Sequence, residues 1–428
     1  MATQTGWWRR GLAIVLSLSL LLLGGCYSQG DRGEDTVRLT LWHGINPPPN
    51  RDIFQNLVDR FNQTHPKIQV ESLYIGQPDR QLPKILTAVV GDAPPDLLWF
   101  PPMLAGQLVE LGAIVPLGDW LDRSHLKAQI DPSLIDGMTL NGQTWSVPMA
   151  TNNVGIFYRP SRFETAGITE LPQTWEQLRQ CSRQLSFDED GDGGNDRYGM
   201  LLSLGKSEWV VFTWLSFLYS AGGELVEDGQ LNLYSDAAIE ALQFWSDLVR
   251  EDIAILSPPE RGYELDDFIS GRVAMQITGP WTLGQLSQLD IDYDVMPMPR
   301  ATERATVAGG ENLFVMKTRP DRQQAALEFL EYILSQEFQT EWALGTGYLP
   351  INLKARQSPT YQQFVAEQPV LDVFLEQMKW ARSRPNLPGY PRLSESLGRA
   401  IEAVLLGTPP KAAIEAARAR LDLILGDE

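Results

Sequence analysis

Apolar and polar positions along the chain fall into short segments of two periods, and the two kinds of segment alternate. Val37-Arg38-Leu39-Thr40-Leu41-Trp42 changes face at every residue, as a half-buried strand does. A Gly/Pro/Asn cluster from Gly44 to Asn50 and an amphipathic run from Ile53 to Phe61 follow it, predicting a loop and then a helix. Ile68 to Tyr74 reads as a second strand, Leu82 to Val90 as helical, and Asp96-Leu97-Leu98-Trp99-Phe100 as a third, buried strand. The pattern returns at Gly155 to Tyr158, Ala274 to Ile277 and Leu313 to Lys317, separated by helical segments such as Ala237 to Glu251 and Gln324 to Leu334. Leu393 to Leu425 reads as helix apart from a break at Gly407 to Pro410, with Leu397, Ile401, Val404 and Leu405 on one face. Strands alternating with helices predict an α/β fold with parallel pairing.

The N-terminal segment has a different pattern. Trp7-Trp8-Arg9-Arg10 precedes an apolar run from Leu12 to Leu23 and then Leu23-Gly24-Gly25-Cys26. A basic start, a short apolar stretch and small residues before a cysteine match a secretory signal of the lipoprotein kind, with residues 1–25 removed and Cys26 acylated. The apolar run falls short of the ~20 residues a membrane-spanning helix needs. Residues 26–36, polar and glycine-containing, read as a lipidated tether, and Cys181 as a buried thiol without a disulfide partner. The length of 428 residues favours two lobes over one. A net charge of -19 argues against nucleic-acid binding, which needs a basic face to displace counterions.

A series of motifs spread over nearly the whole chain after the tether is more specific. They are Leu39-Thr40-Leu41-Trp42, Phe61-Asn62-Gln63-Thr64-His65-Pro66, Ala93-Pro94-Pro95-Asp96-Leu97, Gly155-Ile156-Phe157-Tyr158-Arg159 and Pro172-Gln173-Thr174-Trp175-Glu176-Gln177-Leu178. Phe268-Ile269-Ser270-Gly271-Arg272-Val273-Ala274-Met275, Gly279-Pro280-Trp281, Gly345-Thr346-Gly347-Tyr348-Leu349-Pro350 and Arg384-Pro385-Asn386-Leu387-Pro388 complete the series. In this order they resemble the extracellular solute-binding proteins of ABC importers, of the carbohydrate-binding type that includes maltose-, trehalose- and glycerol-3-phosphate-binding proteins. The resemblance implies a two-lobed periplasmic-binding-protein fold of type II, with discontinuous lobes, a hinge and a ligand cleft between them. One lobe would take residues 37–150 plus 281–347 and the other 151–280 plus 348–428, with chain crossings near Met149 to Asn153, Thr278 to Pro280 and Gly345 to Leu349. It further implies a monomer held outside the cytoplasmic membrane through Cys26. Its partners would be a membrane permease and a separate ATPase, since the chain has no Walker loop of its own.

Sugars present apolar C–H faces and a ring of hydroxyls, so their sites combine flat aromatics with carboxylates, amides and Arg. By the resemblance, Trp281 is a stacking platform, Tyr348 lies at the third crossing, and Trp209 occupies another stacking position. Trp99 and Phe100 end a strand where ligands gather in open α/β sheets, with one of the two expected in the core. Asn152 stands where a trehalose-binding relative has Asp. Glu311 follows Gly309-Gly310, where backbone can approach a ligand closely. Arg384 matches a ligand-binding Arg, and Asn46, with Trp42 and His43, follows the first strand. Arg384 is the only cation among these candidates, which favours an uncharged di- or oligosaccharide or glycoside over a glycerol phosphate or glycerophosphodiester.

No cofactor is expected. Asp188, Asp190, Asp192 and Asp196 occupy positions one, three, five and nine of a calcium-type loop, but Gly199 replaces the bidentate Glu that closes such loops. The run reads as an Asx-rich surface turn, with calcium as the alternative. An enzyme is the other class considered: a lipid-anchored glycoside-processing protein would need two carboxylates about 5–9.5 Å apart, for which Glu208 and Glu311 are available. Scattered histidines at 43, 65 and 125 and the lack of a Gly-x-Ser-x-Gly elbow supply no zinc or serine-nucleophile template.

Overall fold

The alternating first segment forms a strand, Val37–His43 (β1), with Leu39 and Leu41 buried, in a computed structural model that describes residues 36–425 apart from 228, 229 and 388. Cys26 and the signal segment lie outside the described residues. Helix Pro48–Thr64 (α1) starts on prolines, whose missing N–H groups cost nothing in a first turn. It buries Phe54, Leu57, Val58 and Phe61, one face at helical spacing. Then come Ile68–Tyr74 (β2), Pro78–Val90 (α2), Leu97–Phe100 (β3) and the short strands Val147–Pro148 (β4) and Asn152–Asn153 (β5).

The second lobe opens with Gly155–Tyr158 (β6) and Trp175–Leu185 (α3), whose capping box pairs Thr174 with Gln177. Tyr198–Leu202 (β7), Glu208–Ser220 (α4), Asp236–Arg250 (α5), Ala254–Leu256 (β8) and Val273–Thr278 (β9) follow. Helix α4 is buried nearly all round, which accounts for its aromatic, non-amphipathic sequence. Asp294–Met296 (β10), Thr306–Gly309 (β11), Asn312–Val315 (β12), Pro320–Leu334 (α6) and Gln336–Thr346 (α7) continue the chain. Val370–Gln377 (α8), Ala381–Ser383 (β13), Tyr390–Leu405 (α9) and Pro410–Leu425 (α10) end it, the last two separated at the expected Gly407 break.

The strands form two five-stranded sheets, ordered β2-β1-β3-β12-β4 and β8-β7-β9-β6-β10, and a three-stranded one, β13-β11-β5, that joins them. Parallel pairing holds for β1 with β2 and β3, and for β7 with β8 and β9. It fails for β12, β4, β6 and β10, which run antiparallel to their neighbours. The reason is topological: β6 and β12 are entered from the opposite lobe rather than through a crossover helix on the same sheet.

Two expected boundaries also differ. Asp294–Met296, within the 281–347 segment, pairs with β6 of the second sheet and covers what would be an exposed edge. After residue 348, Asn352 bonds the Leu334 carbonyl at 2.8 Å and Arg356 bonds Asp131 at 2.5 Å, so this stretch stays with the first lobe before α8 packs beside β10. The chain passes to the second lobe at 149–154, returns to the first at 309–312 and leaves it again between Arg356 and α8; the 278–282 segment reaches the first lobe through Asn50, and Leu349 bridges to Thr151 at the junction.

A buried carboxylate ties the first sheet together: Asp96 accepts the Thr40 N–H at 2.9 Å and meets Arg322 at 3.1 Å. In the second lobe α3 lies so close on β7 that a Cβ on Gly199 would stand 2.3 Å from Ser182 Cα and 2.4 Å from its carbonyl oxygen. Backbone atoms cannot yield as side chains do, so Gly199→Ala is expected to destabilise the fold by about 1–3 kcal/mol. A lowered urea midpoint at unchanged slope measures it.

Candidate functional site

Between the lobes lies a cleft of about 860 Å³ whose wall draws on both sheets and on the segments that cross between them. Gly44, Tyr74 and Trp99 come from the first lobe, Glu208, Trp209 and Phe212 from α4 of the second, and Asn152, Trp281, Glu311, Tyr348 and Arg384 from in or beside the crossings. Of the predicted ligand residues, Asn46, Trp99, Asn152, Trp209, Trp281, Glu311, Tyr348 and Arg384 are on this wall, and Trp42, His43 and Phe100 are not. Phe100 has no exposed surface, because alternate residues of a strand face opposite ways and Trp99 takes the cleft side.

The aromatic residues form a connected cluster. Trp209 meets Trp281 edge to face at 6.0 Å and 80°, and Trp281 lies 6.1 Å from Tyr348 at 37°. Tyr348 in turn stacks on the core residue Trp342 at 5.6 Å. Asn50 of α1 donates to the Trp281 carbonyl at 3.0 Å, and the Trp209 indole N–H donates to Ser203 at 3.1 Å. The rings are thereby fixed from beneath before any ligand arrives, which reduces the ordering cost of binding.

The polar side is built around Arg384. Its guanidinium lies over the Phe212 ring at 4.6 Å and bonds Glu208 at 2.7 Å, with both side chains almost fully buried. Tyr390 and Ser394 of α9 also donate to Glu208, the former at 2.9 Å. Among the described residues, Arg384 Nε, Asn152 Oδ1 and Glu311 Oε2 are buried atoms with no hydrogen-bond partner. Unpartnered buried atoms occur in the core as well, but these three, a donor and two oxygens, stand together on the cleft wall. Gly309 and Gly310 permit this closeness. A Cβ on the first would stand 2.5 Å from Asn152 Oδ1, and the second, at φ +134°, would put one 2.3 Å from the Ala150 carbonyl. Burial pushes the Glu311 carboxyl up to about 7, against the pull of Arg384.

Other expectations fared differently. Asn46 lines the cleft and accepts from Arg51 at 2.8 Å. His43 is neither exposed nor on the wall: it is buried edge-on to Phe54, its Nδ1 accepts the Ile45 N–H at 3.2 Å, and burial with nearby Arg51 lowers its pKa to about 4. The cleft also holds cations that sequence reasoning missed, Arg80, Lys84, Lys206 and Arg392, balanced by Glu260 and Glu395. Arg80, Lys206 and Arg392 sit at or before the starts of α2, α4 and α9 and Lys84 midway along α2, elements that converge only in the fold, so no spacing in the chain exposes them. Arg384 is therefore not the cleft's sole cation. Glu208, considered only as half of a catalytic pair, is committed to Arg384 instead.

In the acidic loop, Asp188, Asp190 and Asp196 place carboxylate oxygens within 4.8 Å of one another, with Asp192 outside that group. Asp188 accepts the N–H groups of Gly191 and Gly193 at 2.6 and 2.8 Å, and Asp196 that of Glu189 at 2.8 Å, the bonding of an Asx-rich turn. Cys181 is free and buried, and burial raises its thiol pKa. No helix among the described residues is long and apolar enough to cross a membrane.

Two lobes closing on an aromatic and polar cleft define a receptor for small solutes. The chain belongs to the bacterial extracellular solute-binding protein family, whose model matches residues 56–367. The maltotriose-binding protein of Pyrococcus abyssi is 21% identical over 391 residues, 89% of this chain and 80% of that one. A solute-binding protein of an ABC transporter from Thermotoga lettingae, solved with α-D-tagatose, superposes with a TM-score of 0.81 at 25% identity, covering 91% of this chain and all of the other. UgpB of Mycobacterium tuberculosis, solved with glycerophosphocholine, reaches 0.80 at 20% identity over 92% of this chain and 99% of its own.

The Arg384–Glu208 pair gives a test of the site's framework. Glu208→Ala leaves the guanidinium buried without its carboxylate and is expected to cost about 3–5 kcal/mol in urea unfolding. Adding Arg384→Met to it removes the stranded charge and is expected to restore much of that loss.

Proposed function

We propose that the protein is the capture subunit of an ABC importer for a di- or oligosaccharide or glycoside, and that it delivers this solute to a membrane permease driven by a separate ATPase. The observation that carries the reading is the pairing of a braced aromatic platform, Trp209, Trp281 and Tyr348, with the open polar atoms of Arg384, Asn152 and Glu311 on the lobe crossings. Rings cover the C–H faces of a sugar, and the polar atoms match hydroxyls, which both donate and accept. Because these groups lie on or beside the crossings, a solute that touches both lobes favours the closed form by its differential affinity. The lipoprotein pattern around Cys26 supports a receptor tethered outside the cytoplasmic membrane.

A second reading, a glycerophosphodiester, draws on the rim cations Arg80, Lys84, Lys206 and Arg392. A thermal-shift series of the chain from Tyr27 with maltose, maltotriose, tagatose and glycerophosphocholine separates the two. A solute at about a thousand times its dissociation constant stabilises a fold by about 4 kcal/mol. The sugar reading expects a shift with a saccharide that Trp281→Ala removes; a shift with glycerophosphocholine alone replaces it with the second reading.

A further inference from the structure

Arg384 faces two carboxylates and touches one. Its contact, at 2.7 Å, is with Glu208, which also receives the Tyr390 and Ser394 hydroxyls. Glu311 is the other, reached by Arg384 only through space, and its Oε2 has no hydrogen-bond partner. The two acids thus have opposite surroundings: Glu208 is met by several donors, while Glu311 stands on a glycine-lined crossing beside the rings of Tyr348 and Trp281. With one oxygen unpartnered and only its own backbone N–H and the more distant Arg384 favouring the charge, burial makes this carboxylate unstable as an anion. Protonation makes it neutral and turns it from an acceptor into a donor.

Resting on the solute-receptor reading above, we propose that Glu311 is the residue that reads the solute's acceptor oxygen, facing the cleft as an uncharged carboxylic acid and donating its proton in a hydrogen bond to a hydroxyl or ether oxygen. Asn152 Oδ1 and Arg384 Nε then complete the contact, the first accepting a solute hydroxyl proton and the second donating. Selectivity follows from this arrangement. A solute with an oxygen at that point satisfies the acid, whereas one lacking it leaves the proton unused in a closed, poorly hydrated cleft.

The titratable groups around Glu311 are few in kind. Arg384 precedes α9, Glu208 begins α4, Tyr390 begins α9 and Tyr348 follows α7, while Arg80, Lys84, Lys206, Glu260, Arg392 and Glu395 occupy the wall further out. No histidine lines the cleft among the described residues. Burial holds the Glu311 acid in its protonated form up to about pH 7, with Arg384 opposing. The raised value sets the sign: the neutral form is kept below about 7 and lost as pH rises through it, so capture weakens toward alkaline pH.

Infrared spectroscopy of the free protein, compared with Glu311→Gln, tests the protonation without any ligand. A protonated-carboxyl C=O band is expected at about pH 6, fading as pH rises through about 7, and absent from Glu311→Gln. The second measurement is the affinity for maltotriose and for glycerophosphocholine against pH. The wild type is expected to weaken about tenfold for each pH unit above about 7, while Glu311→Gln, whose amide donates without titrating, shows no such slope. Absence of the band overturns the proposal whatever the solute does. A band present with the same pH slope in both proteins overturns the contact to solute. If neither probe binds while the band is present, the receptor reading fails for those solutes and the solute contact fails with it, leaving only the protonated acid standing.

Discussion

The buried pair of Arg384 and Glu208 is the interaction on which the cleft depends, because it joins two distant stretches of chain at the cleft wall, where Tyr219 of α4 also bonds the Ser383 carbonyl. Glu208 opens α4, whose remaining residues form the core of the second lobe, and Arg384 follows β13 in the sheet that joins the lobes. Taking both charges out of water is repaid only if they stay in contact and their remaining hydrogen-bond capacity is used. Tyr390 and Ser394 supply that on the Glu208 side, which also fixes the start of α9. On the Arg384 side the buried donor Nε has no protein partner among the described residues. The pair is therefore both a structural tie and the means by which the guanidinium is held at the cleft wall.

The same constraint explains the character of the cleft. Crossing segments are where the chain is shared by both lobes, so residues there are fixed relative to both. Aromatic rings braced by Asn50, Ser203 and Trp342 cannot collapse onto one another, and polar atoms held by glycine-dependent backbone cannot turn aside to find protein partners. The cost of leaving Asn152 and Glu311 unsatisfied is carried by the surrounding fold. A solute that supplied the missing groups would recover that cost as binding free energy.

Much of this was legible in the chain because local rules and tertiary structure agreed. Period-two alternation in β1, the amphipathic run of α1 from Ile53 to Phe61 and the glycine break before α10 each state their element without outside help, while the prolines that open α1 at Pro48 read as loop. The cleft-wall positions of Trp281 and Arg384 were legible from short motifs with a family pattern, and that of Glu311 from the two glycines before it. Phe100 was not, since a strand buried on both faces shows no alternation that distinguishes the cleft side from the core side. Nor were Arg80, Lys206 and Arg392, which are scattered along the chain and brought together by three helix starts. The antiparallel strands escaped for a related reason: the direction in which β12 or β6 enters its sheet depends on where the chain has been, and residue pattern does not carry that history.

The three-stranded sheet of β5, β11 and β13 has a mechanical meaning. Its strands are hydrogen-bonded across the junction, with Ala308 opposite both Asn153 and Ser383, so the connections cannot slide or twist independently without breaking a ladder. Bending across the strands remains the cheap motion. The junction behaves as a pinned door rather than a set of loose strings, and its swing is set by backbone geometry that side-chain changes on the rim do not touch. Exchange of rim residues such as Arg80 or Lys206 can then retune cargo while the stroke offered to the membrane stays the same.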